Sequence, residues 1–313
     1  MIRRAIKPGQ AIKSSSGNFY QIQKYLGMGG NAISYRVVCT SGSYRGLFFV
    51  AKILYNLSSP ERIERFNREA DFLKNTVHPS ILRHHDSGKY LLKSNNTTYP
   101  FVITNYMPDT LAKCLAENRL SFKDKILFSC NLLNALIFLR EKNIVHRDIK
   151  PGNIFIDNHN AVLGDFGLMK DLSYDDPFLI EDDKKCLNDS VAHENTIDGY
   201  VAMPYFFRTP ELVNFANGND KLHIESDIFQ LGLVFAEMFT GENPLVPGDL
   251  KSPIVLNRIS HVTDANQHGG LVFRSIKEML SLDYSQRPHP NETLDHFLQI
   301  YENIITNENL SQE

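Results

Sequence analysis

Residues 144–157 read IVHRDIKPGNIFID, and residues 161–170 read AVLGDFGLMK. Short apolar runs (Ile144, Val145; Ile154, Phe155, Ile156; Ala161, Val162, Leu163) alternate with polar turns, which reads as a strand, a loop and a hairpin. The loop presents His146, Arg147, Asp148, Lys150 and Asn153, and the hairpin then delivers Asp165, 17 residues beyond Asp148. Two carboxylates and a carboxamide offer hard oxygen ligands, and Lys150 offers a cation beside them.

Upstream, Phe19 to Leu54 alternates apolar and polar residues, punctuated by GMGG and SGSYRG, and reads as three strands joined by turns. A helix follows, with Ser59 able to cap, Pro60 suited to the first turn, and Ile63, Phe66, Ala70 and Leu73 along one face. Glu69 lies beside that face, half buried, where it would benefit from a cationic partner. Two more strands fall around ILRHHDSGKYLLK and YPFVITNYM. Beyond MPDT the period becomes helical, in SFKDKILFSCNLLNALIFLREKN, ESDIFQLGLVFAEMF and LVFRSIKEMLSLD, so the chain divides near Met107. Adjacent His84 and His85 point to opposite faces of a strand, and we read them as ordinary strand residues rather than a metal pair. The tail NENLSQE reads as frayed.

The 313 residues allow two lobes with a substantial core. A formal net charge of -3, with no long Lys/Arg run, gives no footprint for nucleic acid. Cys39, Cys114, Cys130 and Cys186 lack Cys-x-x-Cys spacing and read as free thiols, which suits a reducing compartment. The basic N-terminus has no apolar core of a signal peptide, and no apolar run is long enough for a membrane span. A cytoplasmic location is the expectation.

Taken together, H-R-D-x-K-x-x-N at 146–153 followed by D-F-G at 165–167 resembles the protein kinase family, a likeness running from about Tyr20 to His296. It implies an α+β, two-lobed kinase fold: a small strand-rich N-lobe over 19–107 with one key helix, and a larger, mainly helical C-lobe over 108–300. Residues 1–18 would be an extension, 165–211 the activation segment and 301–313 a tail.

The resemblance also assigns roles. Asp148 would accept or orient the substrate hydroxyl's proton, and Lys150 would stabilise the phosphoryl group in flight. Asp165 and Asn153 would hold Mg²⁺, with Mn²⁺ as an alternative. Lys52, in VAKIL, would hold the phosphates of ATP when paired with Glu69. In YLGMGGNAISYRVV, Gly27 and Gly29 would let the backbone approach those phosphates, with Ala32 at the family's third glycine and Ser34 at the roof position. Leu26 and Ala51 would enclose the adenine, Phe155 would floor it, and Thr104, Asn105 and Met107 would form the hinge. Glu211, in FRTPEL, would pair with Arg287, while Asp227 and Gly232 would belong to the central helix.

Lysine at 150 resembles the serine/threonine branch, so ATP and a protein hydroxyl are the implied substrates, with autophosphorylation among the products. Ala32, Ser34, Asn105, and Met203 and Pro204 in place of the family's Gly-Thr keep a nucleotide-binding scaffold open, and a small-molecule phosphotransferase stays open because a fold alone does not fix its substrate. Residues 171–200 carry nine acids against Lys184 and Lys185. They read either as a solvated insertion or as a source of charge for Arg147, through an acid or a phosphorylated Thr196.

Overall fold

The alternation between Phe19 and Leu54 becomes three antiparallel strands, β2 (Phe19–Met28), β3 (Ala32–Cys39) and β4 (Phe48–Leu54). The computed structural model describes residues 6–173, 207–218, 221–249, 251–262 and 268–310. The chain forms two compact units, residues 1–107 and 108–313.

In the first unit, β1 (Ala11–Lys13), β5 (His84–Leu92) and β6 (Thr97–Asn105) complete an antiparallel sheet in the order β1-β2-β3-β4-β6-β5. Along β3 every second residue is buried, and Ile33, Tyr35 and Val37 join Ala51, Ile53, Phe101 and Ile103 in one apolar cluster. On the opposite face, α1 (Pro60–Lys74) packs Phe66 onto Leu54 and Val102. Pro60 opens that helix as expected, but Ser59 makes no side-chain cap; the rigid proline and Glu61 shape the first turn instead.

Residues 6–18 pack onto this sheet. Ile12 pairs with Tyr20 in β1, and Ile6 and Ile12 are buried in the apolar cluster. Buried Asp86 accepts hydrogen bonds from Ser16, Asn18 and Tyr20, fastening the segment to β5. Burial of two isoleucines and satisfaction of one carboxylate hold this stretch in place.

The second unit begins with β7 (Asp109–Thr110) and α2 (Leu111–Ala116), then α3 (Phe122–Glu141), which opens on a capping box between Ser121 and Asp124. Next come β8 (Ile144–Val145), the hairpin β9 (Ile154–Asp157) and β10 (Asn160–Leu163), and β11 (Lys170–Asp171) paired with β8. After α4 (Pro210–Ala216), α5 (Ser226–Thr240) is buried at every residue from Ser226 to Ala236, as a helix apolar on all sides must be. Gly232 lets α6 (Gly269–Met279) approach: a Cβ there would lie 3.0 Å from that of Met279. Helix α7 (Pro290–Leu310) buries Ile300 and Ile304 and packs along α3, with Lys123 paired to Glu308. The tail expected to fray is therefore helical as far as Leu310, held by apolar residues at a spacing of four.

Candidate active site

In the second unit, the buried carboxylate of Asp227, at the start of α5, accepts the backbone N–H groups of His146 at 2.7 Å and Arg147 at 2.9 Å. One helical turn on, the carboxamide of Gln230 accepts from Ile149 N–H at 3.0 Å and donates to the carbonyls of Arg147 at 3.0 Å and Phe207 at 2.9 Å. Both N–H donors of that buried amide and one lone pair of its oxygen are used, so α5 fixes the loop through backbone groups. Burial raises the Asp227 carboxyl to about 6, against the favourable pull of the two N–H donors.

The loop so held contains Arg147 at φ 68°, and Asp165 beyond the hairpin stands at φ 58°. Left-handed backbone at a non-glycine residue costs about 1–3 kcal/mol and persists only where its surroundings over-determine it. Here they do: Gly164 N–H donates to the Asn153 carbonyl at 2.9 Å, closing the hairpin and joining the two segments that carry Asn153 and Asp165. The buried ring of Phe166 lies 4.6 Å from that of His146.

His146 Nδ1 accepts from Asp148 N–H at 3.2 Å, so the proton sits on Nε2, which donates to Gly164 O at 3.1 Å. Complete burial pushes this imidazole down to about 4. The folded value lies below the unfolded one, so the unfolded chain binds the extra proton first, and stability present above about 6.5 is lost as pH falls toward 4. Between pH 7 and pH 5 we expect this one group to cost the wild type about 2 kcal/mol. Urea unfolding of wild type and His146→Phe at both pH values checks it, because the loss should be missing from the variant. An equal pH dependence in both proteins would contradict the assignment.

Three of the expected residues converge on this loop. Lys150 Nζ lies 3.2 Å from Asp148 Oδ1, and Asn153 Nδ2 donates to Asp148 Oδ2 at 2.7 Å and to its backbone carbonyl at 2.9 Å. Both of these bonds use the Asn153 nitrogen, and neither uses its carbonyl oxygen, a hard donor atom. Shielding from water raises the Asp148 carboxyl above the usual carboxylate range, with Lys150 opposing and Asp165 adding to the rise. Phe155 sits half buried on β9, its side chain opposite in sense to the buried Ile154 and Ile156.

In the first unit, Lys52 Nζ lies 2.9 Å from both carboxylate oxygens of Glu69. Glu69 is buried rather than half buried, and the pair holds α1 against the sheet. Strand register puts Ser34 directly across from Lys52 on one side and Val102 on the other, and Val50 across from Thr104. Side chains two apart share a face, so the face of Lys52 carries Val50, Ser34 and Thr104. Ala51 is the exception among the expected nucleotide residues: it is fully buried in the apolar cluster on the far face, beside Tyr35 and Ile103. The residue that belongs on the Lys52 face is Val50, one position earlier.

Gly27 faces Ser34 across the turn between β2 and β3. A Cβ on Gly27 would meet nothing within 4 Å, and one on Gly29 only Ala32 O at 4.0 Å, while neither glycine has positive φ. Neither fold nor backbone demands glycine there, which fits a loop kept clear for a ligand. Ala32 has no positive φ either, so alanine sits without strain. Leu26 is exposed and Thr104 buried; Asn105 donates its N–H to Arg83 O, its side chain meets His85, and Met107 ends the unit. Among the described residues no cluster of metal-ligating side chains forms around His84 and His85.

Outside the loop, Glu211 and Arg287 make the expected pair, bidentate at 2.6 and 3.1 Å and almost fully buried. Ser226 adds a hydrogen bond to Glu211, and Arg287 also donates to Glu225 O and Ser281 O above the Phe229 ring. Thr209, where the family has alanine, caps α4 by accepting Leu212 N–H at 3.1 Å. Met203, Pro204, Cys186, Thr196 and the acidic stretch beyond Ser173 lie outside the described residues. Sequence reasoning missed Val50 and Gln230; the signal for Gln230 was a lone amide in an apolar helix, one turn from Asp227.

A family model for the protein kinase domain matches residues 20–298. The chain belongs to that family. It is 29% identical over 255 residues to the probable serine/threonine-protein kinase PknB of Bifidobacterium longum, an alignment covering 79% of this chain and 34% of the relative. A probable serine/threonine-protein kinase of Clostridium acetobutylicum is 25% identical over 305 residues, 93% of this chain and 41% of the relative. The probable serine/threonine-protein kinase nek2 of Dictyostelium discoideum is 27% identical over 261 residues, 78% of this chain and 54% of the relative. The chain thus spans only about a third to a half of these relatives' lengths. Among its described residues, no helix is long and apolar enough to cross a membrane.

Proposed function

We propose that the chain is a serine/threonine protein kinase, moving the γ-phosphoryl group of ATP to Ser or Thr hydroxyls of a protein substrate in the cytoplasm. The observation that carries this reading is the loop in which Asp148, Lys150 and Asn153 are held within hydrogen-bond reach of one another, in a chain that also keeps the Lys52–Glu69 pair. That complete set argues against a nucleotide-binding scaffold.

In this reading Lys52, fixed by Glu69, neutralises the α- and β-phosphates of ATP, and the lid from Leu26 to Ser34 covers them. Val50, Ser34 and Leu26 contact the adenine side, with Thr104, Asn105 and Met107 at its edge. The substrate hydroxyl attacks the γ-phosphorus, the bond to the bridging oxygen of ADP breaks, and the hydroxyl proton passes to Asp148. A carboxyl raised by shielding accepts a proton more readily than an exposed one, and Lys150 compensates the charge that moves onto the transferring group. Asp165 and the Asn153 carbonyl are suited to hold Mg²⁺ or Mn²⁺, which when bound supplies positive charge to the phosphates.

The test is incubation of the purified chain with γ-labelled ATP, Mg²⁺ and a generic protein such as casein, followed by acid hydrolysis of the labelled product. Label on phosphoserine or phosphothreonine, abolished by EDTA, is the expected outcome; label on phosphotyrosine or on a small molecule would redirect the substrate class.

A further inference from the structure

We propose that Tyr55 is a positioning residue for the phosphate-facing lid, holding the turn between β2 and β3 in its binding shape before nucleotide arrives. The inference rests on the ATP reading above for the identity of the ligand.

Tyr55 lies directly after β4 and three residues beyond Lys52. Its hydroxyl stands 2.9 Å from the carbonyl oxygen of Gly29 and 2.8 Å from that of Gly30, so its single proton is shared between two acceptors. Its backbone N–H donates to Asn31 O at 3.0 Å, and Asn56 N–H adds a second bond to the same oxygen at 3.2 Å. Three consecutive lid carbonyls are thereby drawn toward one anchor.

Every described peptide bond is trans, and in a trans peptide the C=O and the following N–H point in opposite directions. Drawing the carbonyls of residues 29, 30 and 31 toward Tyr55 therefore turns the N–H groups of Gly30, Asn31 and Ala32 away from it. A run of backbone N–H groups aimed to one side is what a phosphate recognises.

Gly29 and Gly30 would otherwise leave the turn with wide conformational freedom, which a ligand would have to restrict on binding. The anchor is itself rigid, because the Tyr55 ring packs against the sheet's apolar cluster. Burial raises the phenol above its ordinary value, keeping it a donor at any working pH. Lid order comes here from a tyrosine across the turn, in a chain whose third lid position is alanine.

Tyr55→Phe tests this, since it keeps the packed ring and removes only the hydroxyl. Without nucleotide, deuterium exchange in residues 28–32 should quicken, while exchange in the buried helix α5 stays as in wild type. The KM for ATP should rise about fivefold, the effect of one neutral hydrogen bond, with a smaller change in kcat. A wild type that transfers phosphate beside a Tyr55→Phe variant with the same lid exchange and the same KM would overturn the inference alone. A wild type that binds no ATP would overturn the proposed function and the lid's ligand together. A loss confined to kcat would also overturn it, by placing the hydroxyl's role outside nucleotide binding.

Discussion

Replacing Asp148 by Asn is expected to lower kcat for phosphoryl transfer by about 10²–10⁴-fold, the range over which a positioned proton acceptor acts. The substitution is nearly isosteric, and an amide oxygen can still accept from Asn153, which donates to this side chain at 2.7 Å. What it removes is the proton acceptor and the negative partner of Lys150, 3.2 Å away. Lys52 and Glu69 are untouched, so ATP affinity should stay within a few fold while turnover collapses. Steady-state kinetics with separate titration of ATP binding checks both halves. A variant within tenfold of wild type would mean that the hydroxyl finds its proton acceptor elsewhere.

Arg287→Ala is expected to destabilise the second unit by about 3–5 kcal/mol, because it strands a carboxylate in a site that excludes water. Glu211 is almost completely buried, and beyond Arg287 it accepts a hydrogen bond from the Ser226 hydroxyl. The guanidinium also ties together Glu225 O and Ser281 O, so its loss frees the entry to α5 and the turn before α7 at once. For a unit of this size such a loss corresponds to a fall in Tm of about 10 °C or more. Thermal unfolding measures it, and the double variant Glu211→Leu with Arg287→Met should recover part of the loss by removing the stranded charge. A single variant within 1 °C of wild type would show that Glu211 finds water when its partner goes.

Local pattern carried the elements well, because strand alternation in Phe19–Leu54 and helical spacing in α1, α3 and α5 are properties of neighbouring residues. The site was legible where a motif packs its groups into one short loop, as at 146–153, and where two distant motifs point to one pair, as with Lys52 and Glu69. It failed by one residue at Ala51, where the period of two along β4 puts Val50 with Lys52 and sends Ala51 into the core. It failed more widely where a residue acts on backbone groups far away in sequence. Nothing local to Gln230 names Ile149 or Phe207, and nothing local to Asp86 shows that it fastens Ser16, Asn18 and Tyr20. The tail misled for a related reason: NENLSQE is polar, and the buried Ile300 and Ile304 of the helix that runs on to Leu310 lie upstream of it.

The central claim is that both residue sets, Lys52 with Glu69 and Asp148 with Lys150 and Asn153, serve one reaction. Its most direct test is the rate at which γ-labelled ATP phosphorylates a protein acceptor in the presence of Mg²⁺, measured for wild type, Lys52→Met and Asp148→Asn side by side. The account predicts acid-stable label on Ser or Thr with wild type and near-background label with either variant. A wild type that binds ATP and leaves the acceptor unlabelled would contradict it.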